Sequence, residues 1–365
     1  MKEPQPSFLF KLQSFLLGSI DFVFFGLYPV FRFARKSQFF RDGTGCQRRF
    51  DYAKKRYEEI GQPAELEVSE AEWKLDKKSK TLQAVVSYES PAADFLESSA
   101  KVASAYVVLP QDPSTPADLQ KPPSFSGPHV RGWVVLQAAT GEEGFRSRIQ
   151  QFALPLASRG VASVIVEIPY YRSRRMPKQK SYALPEARHA LEQGVGTAIE
   201  CAALVRWLRK RGATGPLVYA GRSFGGTTAT LASLCTSDTH GVVAWCGADS
   251  PFLPFSEGVL RVCVPFGTLG EEETLKVKAM LRSINGEGPP KFSARRLVRI
   301  VYGLNDHFVP PESSRGLARA LRECGDGTHV EEELLAGGHV SILFGRRIEY
   351  LDDIVRTLER VRLMN

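Results

Sequence analysis

The sequence predicts an α/β fold, a mostly parallel central sheet with helices on both faces. Two observations carry this. Beyond about residue 130, short apolar strand-like runs alternate with runs of helical periodicity, the order that yields parallel strands covered by helices. Upstream, between about residues 64 and 109, apolar residues alternate in the manner of antiparallel strands. The composition of the 365 residues is ordinary for a globular protein, with 43% hydrophobic, 24% charged and 10% aromatic residues, which excludes collagen-like, wholly disordered and disulfide-scaffold classes. Six cysteines are scattered without a C-x-x-C pair, which argues against a zinc module or a compact secreted framework. No metal or cofactor is expected.

The elements follow in order. Residues 1–45 differ from the rest and read as a membrane-associating segment: Phe8 to Phe31 is rich in Phe and Leu, and Arg32, Arg35, Lys36 and Arg41 come directly after it. A spanning helix needs about 20 apolar residues, but Asp21 sits mid-stretch, where a charge costs about 2.5–3.5 kcal/mol. In a helix, Lys11, Ser14, Gly18 and Asp21 fall on one stripe. That pattern suits a helix lying in the membrane interface, its stripe turned to water or to the protein body. The alternative is a helix buried against the globular domain. On the interfacial reading, removing residues 1–45 should leave ester chemistry intact. A cleaved secretory signal is disfavoured, since the apolar region is too long and no small-residue cleavage site follows it.

Residues 46–365 are read as one domain. Strands are expected at Leu66 to Leu75, Thr81 to Tyr88 and Val102 to Leu109, then a Pro-rich surface loop over 110–128. Further strands are expected at Gly132 to Ala138, Val161 to Ile168, Leu217 to Ala220, Gly241 to Cys246, Leu297 to Tyr302 and Val330 to Leu335. Helices are expected from about Glu186 to Arg211, Phe224 to Cys235 and Glu312 to Arg322, and at the C-terminus, where Ile348, Leu351, Val355 and Leu358 share a face. Residues 251–291, between two strands, read as a cap over a pocket whose apolar content suits an acyl chain.

Chemistry concentrates where strands end, the edge at which parallel sheets bind ligands. Gly221-Arg222-Ser223-Phe224-Gly225-Gly226 follows a short strand and opens a helix, the setting in which a G-x-S-x-G serine is exposed on a strained turn. Side chains at Gly221 and Gly225 would crowd that turn, and Gly226 lets the helix approach the next strand. Ser223 is therefore the candidate nucleophile. The alternative is a small residue in an ordinary Gly-rich turn; a phosphate loop is disfavoured, because neither G-x-x-x-x-G-K nor G-x-G-x-x-G is present. A serine needs a base, and the base an orienting acid. Asp306 follows the next-to-last strand and His339 the last one, so acid and base stand in the order Ser, Asp, His at successive strand ends. His307 should point elsewhere. Asp249 is the fallback acid, with helix capping as its simpler role. The oxyanion hole should use the Phe224 amide and one from Gln137-Ala138-Ala139-Thr140-Gly141, with Thr140 and Gly141 as candidates.

These stretches, together with Ile168-Pro169-Tyr170-Tyr171, the Asp306 loop ending in Val309-Pro310, and Gly337-Gly338-His339, resemble the α/β-hydrolase superfamily and, within it, the abhydrolase-domain-containing eighteen group, over about residues 85 to 345. There are departures: Gln137 and Ala139 replace a His-Leu-Ala-Gly-like oxyanion loop, Glu142-Glu143 replace Asp-His, and the Pro-rich loop is longer. The resemblance implies the α/β-hydrolase fold with a small cap insertion. It also implies a mitochondrial, membrane-associated serine hydrolase acting on phospholipid acyl esters, cardiolipin foremost.

The charge pattern adds an independent hint. The net charge is +8, and Arg172, Arg174, Arg175, Lys178 and Lys180 follow a strand on the same sheet edge as Ser223, where they would attract anionic head groups. The plain alternative is a solvated basic loop. Nucleic acid is disfavoured, since no stacking pattern or recognition module accompanies the charge. The expected partners are thus a lipid substrate and a membrane surface. The competing reading is a catalytically silent hydrolase-fold subunit with a structural role, because fold does not guarantee activity.

Overall fold

A computed structural model describes residues 6–27, 38–59, 64–69, 71–111, 124–284, 294–323 and 327–364, the side chains of 25–27 excepted. The strands are β1 (Lys74–Asp76), β2 (Thr81–Glu89), β3 (Val102–Pro110), β4 (Gly132–Leu136), β5 (Val161–Val166), β6 (Leu217–Arg222), β7 (His240–Trp245), β8 (Arg296–Gly303) and β9 (Thr328–Leu335). They form one sheet in the order β1-β2-β3-β5-β4-β6-β7-β8-β9. The first three are antiparallel, and so is the β3–β5 pair; from β5 through β9 every pairing is parallel. The inner strands β4 to β7 are buried at every residue, which explains their unbroken apolar runs: both faces are covered.

The principal helices are α1 (Phe8–Leu27), α2 (Gln47–Glu58), α3 (Arg188–Lys210), α4 (Phe224–Leu234), α5 (Glu271–Ser283), α6 (Pro311–Glu323), α7 (His339–Gly345) and α8 (Arg347–Met364). Residues of α3, α4 and α6 cover one face around Trp133, Tyr219 and Val242. The short helical run 146–157, α7 and α8 cover the other around Val134, Ala220 and Trp245. A further apolar cluster lies around Phe39, Phe40, Tyr171, Leu184, Leu191 and Leu260.

The strand expected over Leu66 to Leu75 is mostly irregular. Val68 makes a single antiparallel bridge to Tyr88, and only Lys74–Asp76 pairs as a strand, at the opposite end of β2. Ile348, in the first turn of α8, is 62% exposed although its helical companions Leu351 and Leu358 are buried. Of the Pro-rich loop, 112–123 lie outside the described residues, as do Arg32, Arg35 and Lys36. Phe39 and Phe40, inside the expected N-terminal segment, are buried in the body. Among the described residues no helix is long and apolar enough to cross a membrane.

Candidate active site

Between the last residue of β6 and the first of α4 stands Ser223 alone, at φ 56° and ψ −128°. Such a conformation costs a side-chain-bearing residue about 1–3 kcal/mol, and the neighbouring glycines make it attainable. A Cβ at Gly221 would lie 2.0 Å from the Gly225 oxygen, and one at Gly225 2.9 Å from the Ala138 oxygen. Gly226 lies against the end of β7, where a Cβ would be 3.2 Å from both Gly247 Cα and the Trp245 oxygen. The turn is fastened by the Ser223 amide, which donates to the Trp245 carbonyl at 2.7 Å.

After β8, the Asp306 carboxylate accepts the amides of Phe308 (2.9 Å) and Val309 (2.8 Å) through Oδ1, leaving Oδ2 at 2.7 Å from His339 Nδ1. His339 opens α7 just after β9, with the Phe308 ring stacked on it at 5.0 Å. With Nδ1 donating to Asp306, Nε2 is left to accept a proton. Burial opposes protonation of this imidazole, but the Asp306 charge and hydrogen bond, joined by the charge of Asp21, outweigh it and raise its pKa above the ordinary histidine value. Ser223 and His339 line the same cavity of about 350 Å³. Among the described residues no hydrogen bond joins them; in unliganded sites such contacts commonly close only around substrate. Asp249 lies elsewhere, accepting from Ser313 Oγ at 2.5 Å and the Ser250 amide at 2.7 Å. The His307 ring packs on Phe22 at 4.5 Å. The Cys246, Asp306 and His339 side chains offer ligand atoms within 4.8 Å of one another, a spacing a metal could use. Within this group the Asp306 carboxylate and the His339 imidazole are bonded directly.

The oxyanion expectation needs one correction. The Gly141 amide donates to Tyr171 Oη at 3.0 Å, so it is committed. Among the described residues the amides of Thr140 and Phe224 carry no hydrogen bond, and both residues border Ser223 in a second, apolar cavity. That cavity measures about 80 Å³ and is bounded by Phe39, Phe40, Leu184, Leu231 and Phe255 among others. Cap residues Pro251, Pro254, Leu260 and Ile284 close it. Ser223 thus stands between a narrow apolar hole and a wider, partly polar cavity.

The basic cluster divides. Arg174 is 1% exposed: it binds the Glu200 carboxylate at 2.5 and 2.9 Å, and donates to the carbonyls of Ala100 and Glu167. It cannot reach a head group, because its guanidinium is enclosed and fully used. Arg175 is half-buried and paired with Glu143. Arg172 and Lys178 are exposed, and Arg172 forms no ion pair among the described residues. Removing Arg174 would leave Glu200 a buried, unpaired charge, so Arg174→Ala is expected to lower stability by about 3–5 kcal/mol. Thermal unfolding checks this, and an unchanged Tm would refute the buried pairing.

The residue that sequence reasoning left outside the site is Asp21. It is fully buried, and accepts the amides of His307 (3.0 Å) and His339 (2.9 Å) on Oδ2 and of Val340 (2.9 Å) on Oδ1. Ser14 Oγ accepts the Gly337 amide at 3.1 Å. Gly18 allows α1 to approach, since a Cβ there would lie 2.7 Å from Asn305 Cβ. The stripe therefore faces the loops that carry Asp306 and His339, Lys11 alone of the four remaining exposed. These bonds tie the N-terminal segment to the loops that carry Asp306 and His339, against the expectation that removing residues 1–45 leaves ester chemistry intact. A carboxylate at helical spacing from Ser14 and Gly18 was the available signal.

A nine-stranded, mainly parallel sheet with the Ser223 turn after β6 and with Asp306 and His339 after β8 and β9 defines an α/β-hydrolase fold. Over residues 37–287 the chain matches the family described as Alpha/beta hydrolase domain containing 18, and it belongs to that family. Its structure is similar to acetyl xylan esterase 1 from Thermoanaerobacterium sp. JW/SL YS485, with a TM-score of 0.55 at 12% identity, covering 88% of this chain and 97% of that one. It is also similar to the acetyl xylan esterase from Paenibacillus sp. R4, with a TM-score of 0.55 at 13% identity over 85% and 92% of the two chains. At these identities the likeness is one of fold.

Proposed function

We propose that this protein is a serine hydrolase that cleaves an acyl ester of an anionic phospholipid at a membrane surface. The observation that carries the reading is the strained Ser223 elbow facing the same cavity as the His339–Asp306 pair. Ser223 Oγ attacks the ester carbonyl while His339 Nε2 takes its proton and Asp306 holds the imidazole. The Phe224 and Thr140 amides receive the oxyanion, at about 3 kcal/mol each. His339 then protonates the leaving alkoxide, and water releases the acid by the reverse steps. The apolar hole suits the acyl chain, and the wider cavity suits the rest of the lipid.

The membrane part rests on α1. A helix on a globular surface ordinarily buries its apolar side, yet Phe8, Leu9, Phe15, Leu16, Phe22 and Val23 are between 55% and 78% exposed. So large an apolar face calls for a partner, and a bilayer fits it. Phe24, on the inward side of the same helix, lines the cavity that holds Ser223 and His339. The cardiolipin-like substrate and the mitochondrial membrane are proposed on family resemblance.

Labelling by a fluorophosphonate, followed by lipid profiling of cells lacking the protein, tests the reading. Covalent labelling at Ser223 and accumulation of an anionic phospholipid are expected. The silent-subunit reading draws on the committed Gly141 amide, and a folded protein inert to fluorophosphonates and to every ester tried would establish it. For the head group, Arg172→Ala with Arg175→Ala is expected to raise KM several-fold for anionic phospholipid vesicles and to flatten its salt dependence. Turnover of a small neutral ester should not change. Equal losses on both substrates would remove these arginines from recognition.

A further inference from the structure

We propose that Asp21 is a positioning residue for the catalytic pair, so that α1 is a component of the active site. The inference rests on the serine-hydrolase reading and deepens it. One carboxylate receives an amide from the Asp306 loop, at His307, and two from the His339 loop, at His339 itself and Val340. It therefore ties together the two loops whose relative placement fixes the 2.7 Å Asp306–His339 bond. The fit is close, since a Cβ on Gly338 would lie 2.6 Å from Asp21 Oδ2.

The carboxylate also acts through its charge. Burial, then the Asp306 charge, raise the pKa of Asp21, and the amides it accepts oppose that rise. The groups facing His339 are Asp306 from the loop after β8, Asp21 from α1, Arg222 from the end of β6, Cys246 after β7, and Glu142 and Glu143, which line the same cavity. Of these, Asp306 and Asp21 favour the protonated imidazole and Arg222 opposes it. Ionised Asp21 thereby assists the step in which His339 carries the serine proton.

Asp21→Asn keeps the size and removes the charge; Gly338→Ala keeps the charge and displaces it. Both are expected to lower kcat by about 10²-fold, the scale of a misplaced catalytic group, with KM for a soluble ester within about twofold. In Asp21→Asn the acid limb of kcat/KM, and the His339 imidazole followed by NMR, should move to lower pH. Ser14→Ala serves as a control that weakens the seat of α1 at Gly337 alone. A purely structural role predicts losses in all three that follow Tm, with the imidazole titration unmoved, and that outcome would overturn the proposal. So would wild-type kcat in either Asp21→Asn or Gly338→Ala. A wild type inert to fluorophosphonates would overturn the serine-hydrolase reading alone, because the imidazole titration still reports Asp21.

Discussion

Ser223→Ala is expected to abolish fluorophosphonate labelling and lower ester hydrolysis by on the order of 10⁵- to 10⁶-fold, the scale at which loss of the nucleophile disables a triad enzyme. Stability should hardly change. Alanine at φ 56° is strained as serine is, and among the described residues Ser223 Oγ has no hydrogen bond to lose. His339→Ala should match the kinetic loss, because triad members act as a unit. It should also lower Tm, since it strips the stacked Phe308 of its partner and takes from Asp306 its bond to the imidazole. Asp306→Asn is expected to cost about 10⁴-fold by favouring the wrong imidazole tautomer. The measurements are active-site titration, steady-state rates on a soluble ester and thermal unfolding. Substantial hydrolysis by folded Ser223→Ala would remove Ser223 from the chemistry.

What the sequence made legible is what local pattern encodes. The β6–Ser223–α4 turn is announced by three glycines within six residues, and each is required by a contact with Gly225, Ala138 or the end of β7. Asp306 and His339 are legible for a similar reason: each lies just past the end of a strand, and in a parallel sheet all such positions share one edge. Contacts across the chain were not legible. The Asp21–His339 bond joins residues 318 apart, and no periodicity records it. Arg174 reads as one member of a basic run, whereas its burial depends on Glu200, a helical residue that sequence pattern gives no reason to pair with it. The same holds for Gly141, whose amide is taken by a tyrosine on a different loop. The stripe in α1 was visible, but which way it faces is decided by the loops after β8 and β9.

Deleting residues 1–37 is expected to disable hydrolysis of soluble esters and lipids alike, at least as severely as Asp21→Asn. It removes Asp21 and Ser14 together, leaving the amides of His307, Gly337, His339 and Val340 without the acceptors that hold these loops. Detaching the protein from membranes without disabling it requires changes on the opposite face of α1. Phe15 and Leu16 are each 62% exposed, and each inserted side chain of this kind contributes about 1.5–3 kcal/mol to burial in an apolar phase. Phe15→Ser with Leu16→Ser should therefore weaken partitioning onto anionic vesicles by about tenfold or more per residue, with soluble-ester kcat/KM retained. Vesicle flotation and a soluble-ester assay separate the two faces. If the deletion stays active on a soluble ester, α1 has no part in the site. If the Phe15 and Leu16 variant floats with vesicles as the wild type does, the outer face of α1 is not what meets the membrane.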